Sequence, residues 1–175
     1  MSDTCRRPGG LEFTKELIRM AGLSPCRILD MGSGSGASLR LLESLGFEAV
    51  GVDKKESAHS VCGDIRALDF PSESFDAVLS ECSFFISGDF ESALKEASRV
   101  LRPGGKLLLA DVFFKTAAEL KHIFRKNGLE ILSLLDKTPD WKEYLIRSIW
   151  ENDEDYSEYC SDKFEGYYLI CAERV

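Results

Sequence analysis

A chain of 175 residues with 44% apolar side chains has the material for one domain with a sizeable core and too little for two of ordinary size. A formal net charge of −8, with no basic stripe carrying interleaved aromatics, argues against a nucleic-acid ligand. No apolar stretch approaches the roughly 20 residues a membrane helix needs, and the opening MSDTCRRPGG lacks the apolar segment of a signal peptide, so a cytoplasmic protein without membrane attachment is expected.

A short arm, residues 1–10, precedes a helical pattern from Leu11 to Gly22 with Phe13, Leu17, Ile18 and Ala21 on one face. A strand is expected over Cys26 to Met31, and RILDMGSGSG then runs from an apolar stretch through Asp30 into three alternating glycines. Gly32, Gly34 and Gly36 permit positive φ and close backbone approach, and the helix that follows, Ala37 to Leu45, offers unpaired N–H groups at its first turn. A polar or anionic ligand is expected there.

The second strand, Glu48 to Asp53, ends in a carboxylate suited to both hydroxyls of a ribose. Only Lys54 to Ala58 separate it from the next extended segment, His59 to Cys62, whereas parallel strands normally need a crossover of a dozen or more residues, so a helix here must be vestigial or replaced by a loop. A fourth strand follows from Ala77 to about Cys82, then a helix from Glu91 to Leu101, a turn at RPGG, and a strand over Lys106 to Val112 whose unbroken apolar run marks it as central. A helix from Thr116 to Lys126 stops at Asn127 and Gly128. Leu129 to Leu135 and Tyr167 to Ala172 read as the last strands, with a helix over Trp141 to Trp150 between them that carries Trp141, Tyr144, Leu145, Ile149 and Trp150 near one apolar face. The alternation gives an α/β, doubly wound sheet that binds its ligand outside the carboxyl ends of the strands.

The glycine loop alone also satisfies a dinucleotide-site pattern. In the order GSGSGA, Asp53, Gly63-Asp64, SFDAVLSECSFF, RVLRPGG and KLLLADVFF, however, residues 27–114 resemble the class I S-adenosylmethionine-dependent methyltransferases, in particular the small-molecule branch known as methyltransferase type 11. The resemblance implies a Rossmann-like seven-stranded sheet of order 3-2-1-4-5-7-6 with the last strand antiparallel; the family pattern would insert a full second crossover helix, and this chain departs from it with a shortened one. It implies a single domain with residues 27–114 as the cofactor-binding core and residues 139–163 as a variable substrate-side helix and acidic loop. The implied cofactor is S-adenosylmethionine and the implied reaction is methyl transfer to a small-molecule acceptor.

Carried over position by position, the resemblance sets Gly32, Ser33, Gly34 and Gly36 against the methionine and ribose portions of the cofactor, with Asp30 addressing its amino group. Asp53 would hold the ribose hydroxyls, Lys54 would flank adenine, Asp64 and Ile65 would meet the adenine ring, and Glu81 and Cys82 would line the methionine end. Glu81 and Asp111 stand at carboxyl ends of central strands and are candidates to orient or deprotonate an acceptor. The acceptor side is expected from Arg6 to Thr14 and the late aromatic helix, with Arg7, Phe13, Trp141 and Tyr144 as candidates.

Several residues have plainer readings. Asp76, at the start of a strand, is structural; Cys82 is a small wall residue rather than a nucleophile, and His122 lies on the surface. Six cysteines never fall in C-x-x-C spacing and only His59 and His122 accompany them, so reduced thiols and no metal site are expected. The acidic run Glu151 to Asp162 offers a docking surface for a basic protein partner, although such runs are more often solvated loops. Two further functional readings stand beside the leading one: a nicotinamide oxidoreductase, disfavoured by length and the lack of a separate catalytic domain, and a non-catalytic or partner-dependent cofactor-binding module.

Overall fold

The computed structural model describes residues 7–55, 57–152 and 163–175. Its chain order is α1 (Gly10–Ala21), β1 (Arg27–Met31), α2 (Ala37–Ser44), β2 (Glu48–Asp53), β3 (Ser60–Cys62), β4 (Phe75–Glu81), α3 (Phe90–Val100), β5 (Leu101–Phe113), α4 (Ala117–Lys126), β6 (Leu129–Asp136), α5 (Thr138–Asn152) and β7 (Gly166–Arg174). The strands form one sheet of order β3-β2-β1-β4-β5-β7-β6. All pairs are parallel except those of β7, which runs antiparallel to both β5 and β6. The expected order and the antiparallel last strand are therefore both present.

Alternation along the strands divides the core in two. Leu29, Met31, Val78, Leu107 and Leu109 face one side with Leu94, Ala97 and Val100 of α3 and Leu120 and Phe124 of α4. Ile28, Ala77, Leu79, Leu108 and Ala110 face the other with Phe13 and Leu17 of α1, Leu42 of α2 and Trp141 of α5. Because both faces are covered, β4 and β5 read as near-continuous apolar runs, and each fully buried aliphatic side chain stabilises the fold by roughly 1.5–3 kcal/mol.

Among the described residues, the connection from β2 to β3 contains no helix, as its length requires. Gly51 lies opposite Ser60 and Asp53 opposite Cys62, so the chain must climb back only two residues, roughly 7 Å, before pairing begins. A three-residue strand beside the tip of β2 removes the need for a full crossover.

Two expectations are corrected. Hydrogen bonding of β5 already starts at Leu101, so RPGG turns the chain within the strand rather than ahead of it: Phe75 pairs with Leu101 and Ala77 with Lys106, and the intervening residues 102–105 bulge outward opposite Asp76. In α5 the inward positions are Trp141 and Ser148, while Ile149 and Trp150 are exposed, Trp150 by 85%. At 100° per residue, Trp150 stands half a turn away from Trp141, which the aromatic composition of the segment obscured.

Asp76 is structural, accepting from the Arg27 amide at 3.0 Å and pairing with Arg102. His122 is exposed. Arg6 and residues 153–162 of the acidic run lie outside the described residues.

Candidate active site

The carboxyl ends of β1, β2 and β4 surround a cleft of about 580 Å³. Its lining includes Gly32, Ser33 and Gly34 from the β1–α2 turn, Asp53, Lys54 and Lys55 after β2, Ile65, Glu81 and Cys82 at the end of β4, and Arg7 from the amino-terminal arm. The turn is held by amides of Gly32 and Ser33 donating to the Val52 carbonyl at 2.8 and 3.2 Å. Gly32 has φ +85°, and a Cβ there would lie 2.0 Å from Ser83 Oγ, so only glycine lets this turn close against the β4 loop. At Gly34 the equivalent space is open, while its amide donates to Asp53 Oδ2 at 2.9 Å.

Asp53 Oδ1 accepts from the Lys55 amide at 2.9 Å. These two backbone bonds fix the carboxylate and leave it further lone-pair capacity toward the cleft, since an ionised carboxylate offers about four acceptor sites. Gly36 caps α2 from behind the cleft. Asp64 is not part of the lining: it is gripped by Arg66, with Nη2 at 2.6 Å from Oδ2, and approached by Lys54 at 3.8 Å. The Arg66 hydrogen bonds hold the Asp64 carboxyl far below the usual carboxylate range. Its neighbour Ile65, 6% exposed, presents the apolar surface instead.

Beneath the cleft lies a buried polar cluster. Asp30 pairs in register with Leu79, so Glu81, two residues on, points from the same face of the neighbouring strand. Arg7 Nη2 reaches Glu81 Oε2 at 2.7 Å, Thr14 Oγ1 at 2.8 Å and Ser38 Oγ at 2.8 Å. Thr14 and Ser38 in turn donate to Glu81 Oε2 at 2.9 and 3.2 Å. The arm, α1, α2 and β4 thus converge on one carboxylate. Glu81 Oε1 and Asp30 Oδ2 are buried without a hydrogen-bond partner. Burial, reinforced by the neighbouring Glu81 and opposed by Arg7, lifts Asp30 to about 7. Burial also raises Glu81 against the pull of Arg7, Thr14 and Ser38.

A second space of about 150 Å³ adjoins the cleft and shares Arg7, Cys82 and Ile86 with it. Asp111, Trp141, Tyr144 and Tyr167 complete most of its wall. Asp111 is pushed up to about 7 by burial, against hydrogen bonds from the backbone of Phe85 at 3.1 Å and Val112 at 2.8 Å. Cys82 adopts φ +55°, a conformation rare outside glycine, and its Sγ lies 3.2 Å from the Tyr167 hydroxyl. Burial and the nearby Asp111 keep the thiol protonated, as suits a wall residue.

Of the residues expected on the acceptor side, Arg7, Trp141 and Tyr144 meet in this space. Phe13 does not: it is 4% exposed and packs in the core under Tyr167, ring centroids 6.1 Å apart. Sequence reasoning missed Thr14 and Ser38. Both are polar residues on the otherwise apolar inward stripe of their helices, and that placement is the signal that marks them.

The methyltransferase domain family matches residues 29–109. The arsenite methyltransferase of Aquipseudomonas alcaligenes is 31% identical over 123 residues, 55% of this chain and 36% of that protein. The malonyl-[acyl-carrier protein] O-methyltransferase 1 of Coxiella burnetii is 36% identical over 117 residues, 62% of this chain and 42% of that one. The chain thus spans well under half the length of either relative. Among solved structures, geranyl diphosphate methyltransferase in complex with SAM superimposes with a TM-score of 0.77 at 18% identity, over 95% of this chain and 86% of the other.

Proposed function

We propose that this chain, which belongs to the class I S-adenosylmethionine-dependent methyltransferases, transfers the cofactor's methyl group to a small acceptor held in the space beside Cys82 and Asp111. The observation that carries this reading is the cleft itself. A glycine turn and a fixed Asp53 line it together with Glu81, and two buried carboxylate oxygens lack partners, Glu81 Oε1 on a lining residue and Asp30 Oδ2 in the cluster beneath. Such oxygens suit the ammonium of an amino-acid moiety, and Asp53 suits a ribose diol, so the residues fit S-adenosylmethionine.

In this reading the backbone of Gly32 to Gly34 carries the methionine and ribose portions, with Gly36 supporting the turn as the cap of α2. Asp53 holds the ribose, Ile65 and Lys54 flank adenine, and Asp64 steadies Lys54. Glu81 and Cys82 close the methionine end. When bound, S-adenosylmethionine supplies an electrophilic methyl on a sulfonium. The protein's contribution is alignment and exclusion of water around the reacting pair, which together are worth roughly 7–11 kcal/mol in well-oriented systems. Asp111, not Glu81, is assigned the proton-accepting role: it lines the acceptor space, pairs with no cation among the described residues, and is pushed up to about 7 by burial. Glu81 is committed to Arg7. The volume of the acceptor space and the acidic charge of the chain favour a small molecule over nucleic acid.

Calorimetric titration with S-adenosylmethionine, S-adenosylhomocysteine, NAD and NADH tests the cofactor assignment. Micromolar binding of the first two alone supports it, and saturation by a nicotinamide cofactor, or silence from all four, overturns it.

A further inference from the structure

The relatives act on acceptors as unlike as arsenite and malonyl-[acyl-carrier protein], so family membership leaves the acceptor open. A third space bears on it. Beyond the acceptor space lies a groove of about 210 Å³ whose lining is almost entirely apolar: Phe90, Phe113, Phe114 and Leu120, with Gly88 and Lys115 at its edge. It shares Phe85 and Val112 with the acceptor space, which in turn shares Arg7, Cys82 and Ile86 with the cleft. The three spaces are therefore successive neighbours, each sharing wall residues with the next.

Their chemistry grades in one direction. The cleft is rich in backbone and charged groups, the middle space combines Arg7 and Asp111 with aromatic side chains, and the groove has no buried charge. The Phe85 ring stacks on Phe114 at 5.3 Å, and the Phe85 amide is tied to Asp111. Phe85 thus stands, with Val112, between the middle space and the groove, and its amide is held by the carboxyl group facing the reacting end.

We propose that the acceptor is amphipathic, with a small polar head that receives the methyl group beside Asp111 and an unbranched or prenyl-like apolar tail that lies past Phe85 in the groove. This rests on the methyltransferase reading above. At about 30 Å³ for a water-sized group, the groove accommodates roughly seven carbons. Each methylene moved out of water there tightens binding about fourfold, from about 0.8 kcal/mol per buried methylene.

The test uses the whole chain saturated with S-adenosylhomocysteine, whose own binding is measured first, and the straight-chain series 1-butanol, 1-hexanol and 1-octanol as probes. Affinity is expected to rise about 15-fold for each added pair of carbons. Val112→Phe, which builds bulk into the shared wall, should flatten that rise while leaving S-adenosylhomocysteine binding intact. Should Val112→Phe fail to fold, Phe114→Ala serves instead, because loss of one wall of the groove must weaken octanol more than butanol. A flat chain-length series on cofactor-loaded protein, or a series unchanged in the variant, overturns the tailed acceptor and leaves the methyltransferase reading standing. Failure of S-adenosylhomocysteine itself to bind removes both.

Discussion

The buried pair between Arg7 and Glu81 makes a pH-dependent prediction. Arg7→Met keeps the aliphatic stem of the side chain and deletes its charge. Glu81, whose side chain is 3% exposed, then retains only the hydroxyls of Thr14 and Ser38 as donors. Removing one partner of a buried pair costs about 3–5 kcal/mol when the other charge must stay. Here Glu81 escapes part of that by taking up a proton, because burial already raises it and the Arg7 charge opposes the rise. The variant's folded state therefore binds a proton that its unfolded state releases above the ordinary glutamate range. Its deficit is smallest at low pH and grows as pH rises, by at most about 1.4 kcal/mol per unit for one proton. Asp30 adds to the same trend, since Arg7 also restrains it. We expect Arg7→Met to lose about 3 kcal/mol at pH 8 and about 1 kcal/mol at pH 5.5 in urea unfolding, with Arg7→Met/Glu81→Gln recovering at least half of the loss at pH 8. A deficit equal at the two pH values, or a double variant no better than the single one, would refute the assignment of a buried, charged Glu81 held by the arm.

Other expectations concern the cleft and its floor. Asp53→Ala should weaken S-adenosylhomocysteine binding by roughly 10- to 100-fold in calorimetry, the loss of charge-assisted bonds worth about 1.5–3 kcal/mol; unchanged affinity would remove Asp53 from the site. Asp30, raised to about 7, contributes stability present below the unfolded aspartate value and lost as pH rises through neutrality. Asp30→Asn should therefore flatten the decline in unfolding free energy between pH 5 and 8, gaining on the order of 2 kcal/mol over the parent at pH 8; a parallel decline in both proteins would count against it. Gly32→Ala should destabilise far more than Gly34→Ala, because the first drives a methyl into Ser83 while the second meets open space and costs only the left-handed backbone, about 1–2 kcal/mol. Equal losses in thermal unfolding would contradict the closure of the turn on the β4 loop.

Much of this was legible in the chain because local signals and tertiary structure agree. The run RILDMGSGSG implies a strand, a tight turn and a helix to follow, and the structure has β1 and the turn within those ten residues and α2 starting directly after them at Ala37. The missing crossover helix was legible by counting alone. The expectations that failed are those in which one composition serves two faces. Trp141 and Trp150 look alike in sequence, yet nine residues of helix put one in the core and the other in water. Phe13 has the chemistry of a ligand wall, but the inward stripe of α1 commits it to the core, while Thr14, next along, supplies the polar contact to Glu81. No local signal reveals that Arg7 bridges 74 positions to Glu81, because only the topology of α1, α2 and β4 brings those groups together. Asp64 was expected to face adenine, and the arginine two residues on competes for the same oxygens.

The six-residue link between β2 and β3 also bears on how such a protein can be tuned. It begins beside Asp53, whose carboxylate fixes its first turn through the Lys55 amide, and the short β3 it leads into pairs with only the tip of β2. Closing a flexible loop becomes harder only with the logarithm of its length, so doubling this link would cost about 0.6 kcal/mol of folding free energy. The Asp53 corner of the cleft, proposed above to hold the ribose, is thus joined to a segment that can lengthen, shorten or change composition at almost no expense to the rest of the sheet. Cofactor affinity and exchange rate can consequently drift under selection at this corner independently of thermal stability, whereas the arm-bound carboxylate on the opposite side allows no such freedom.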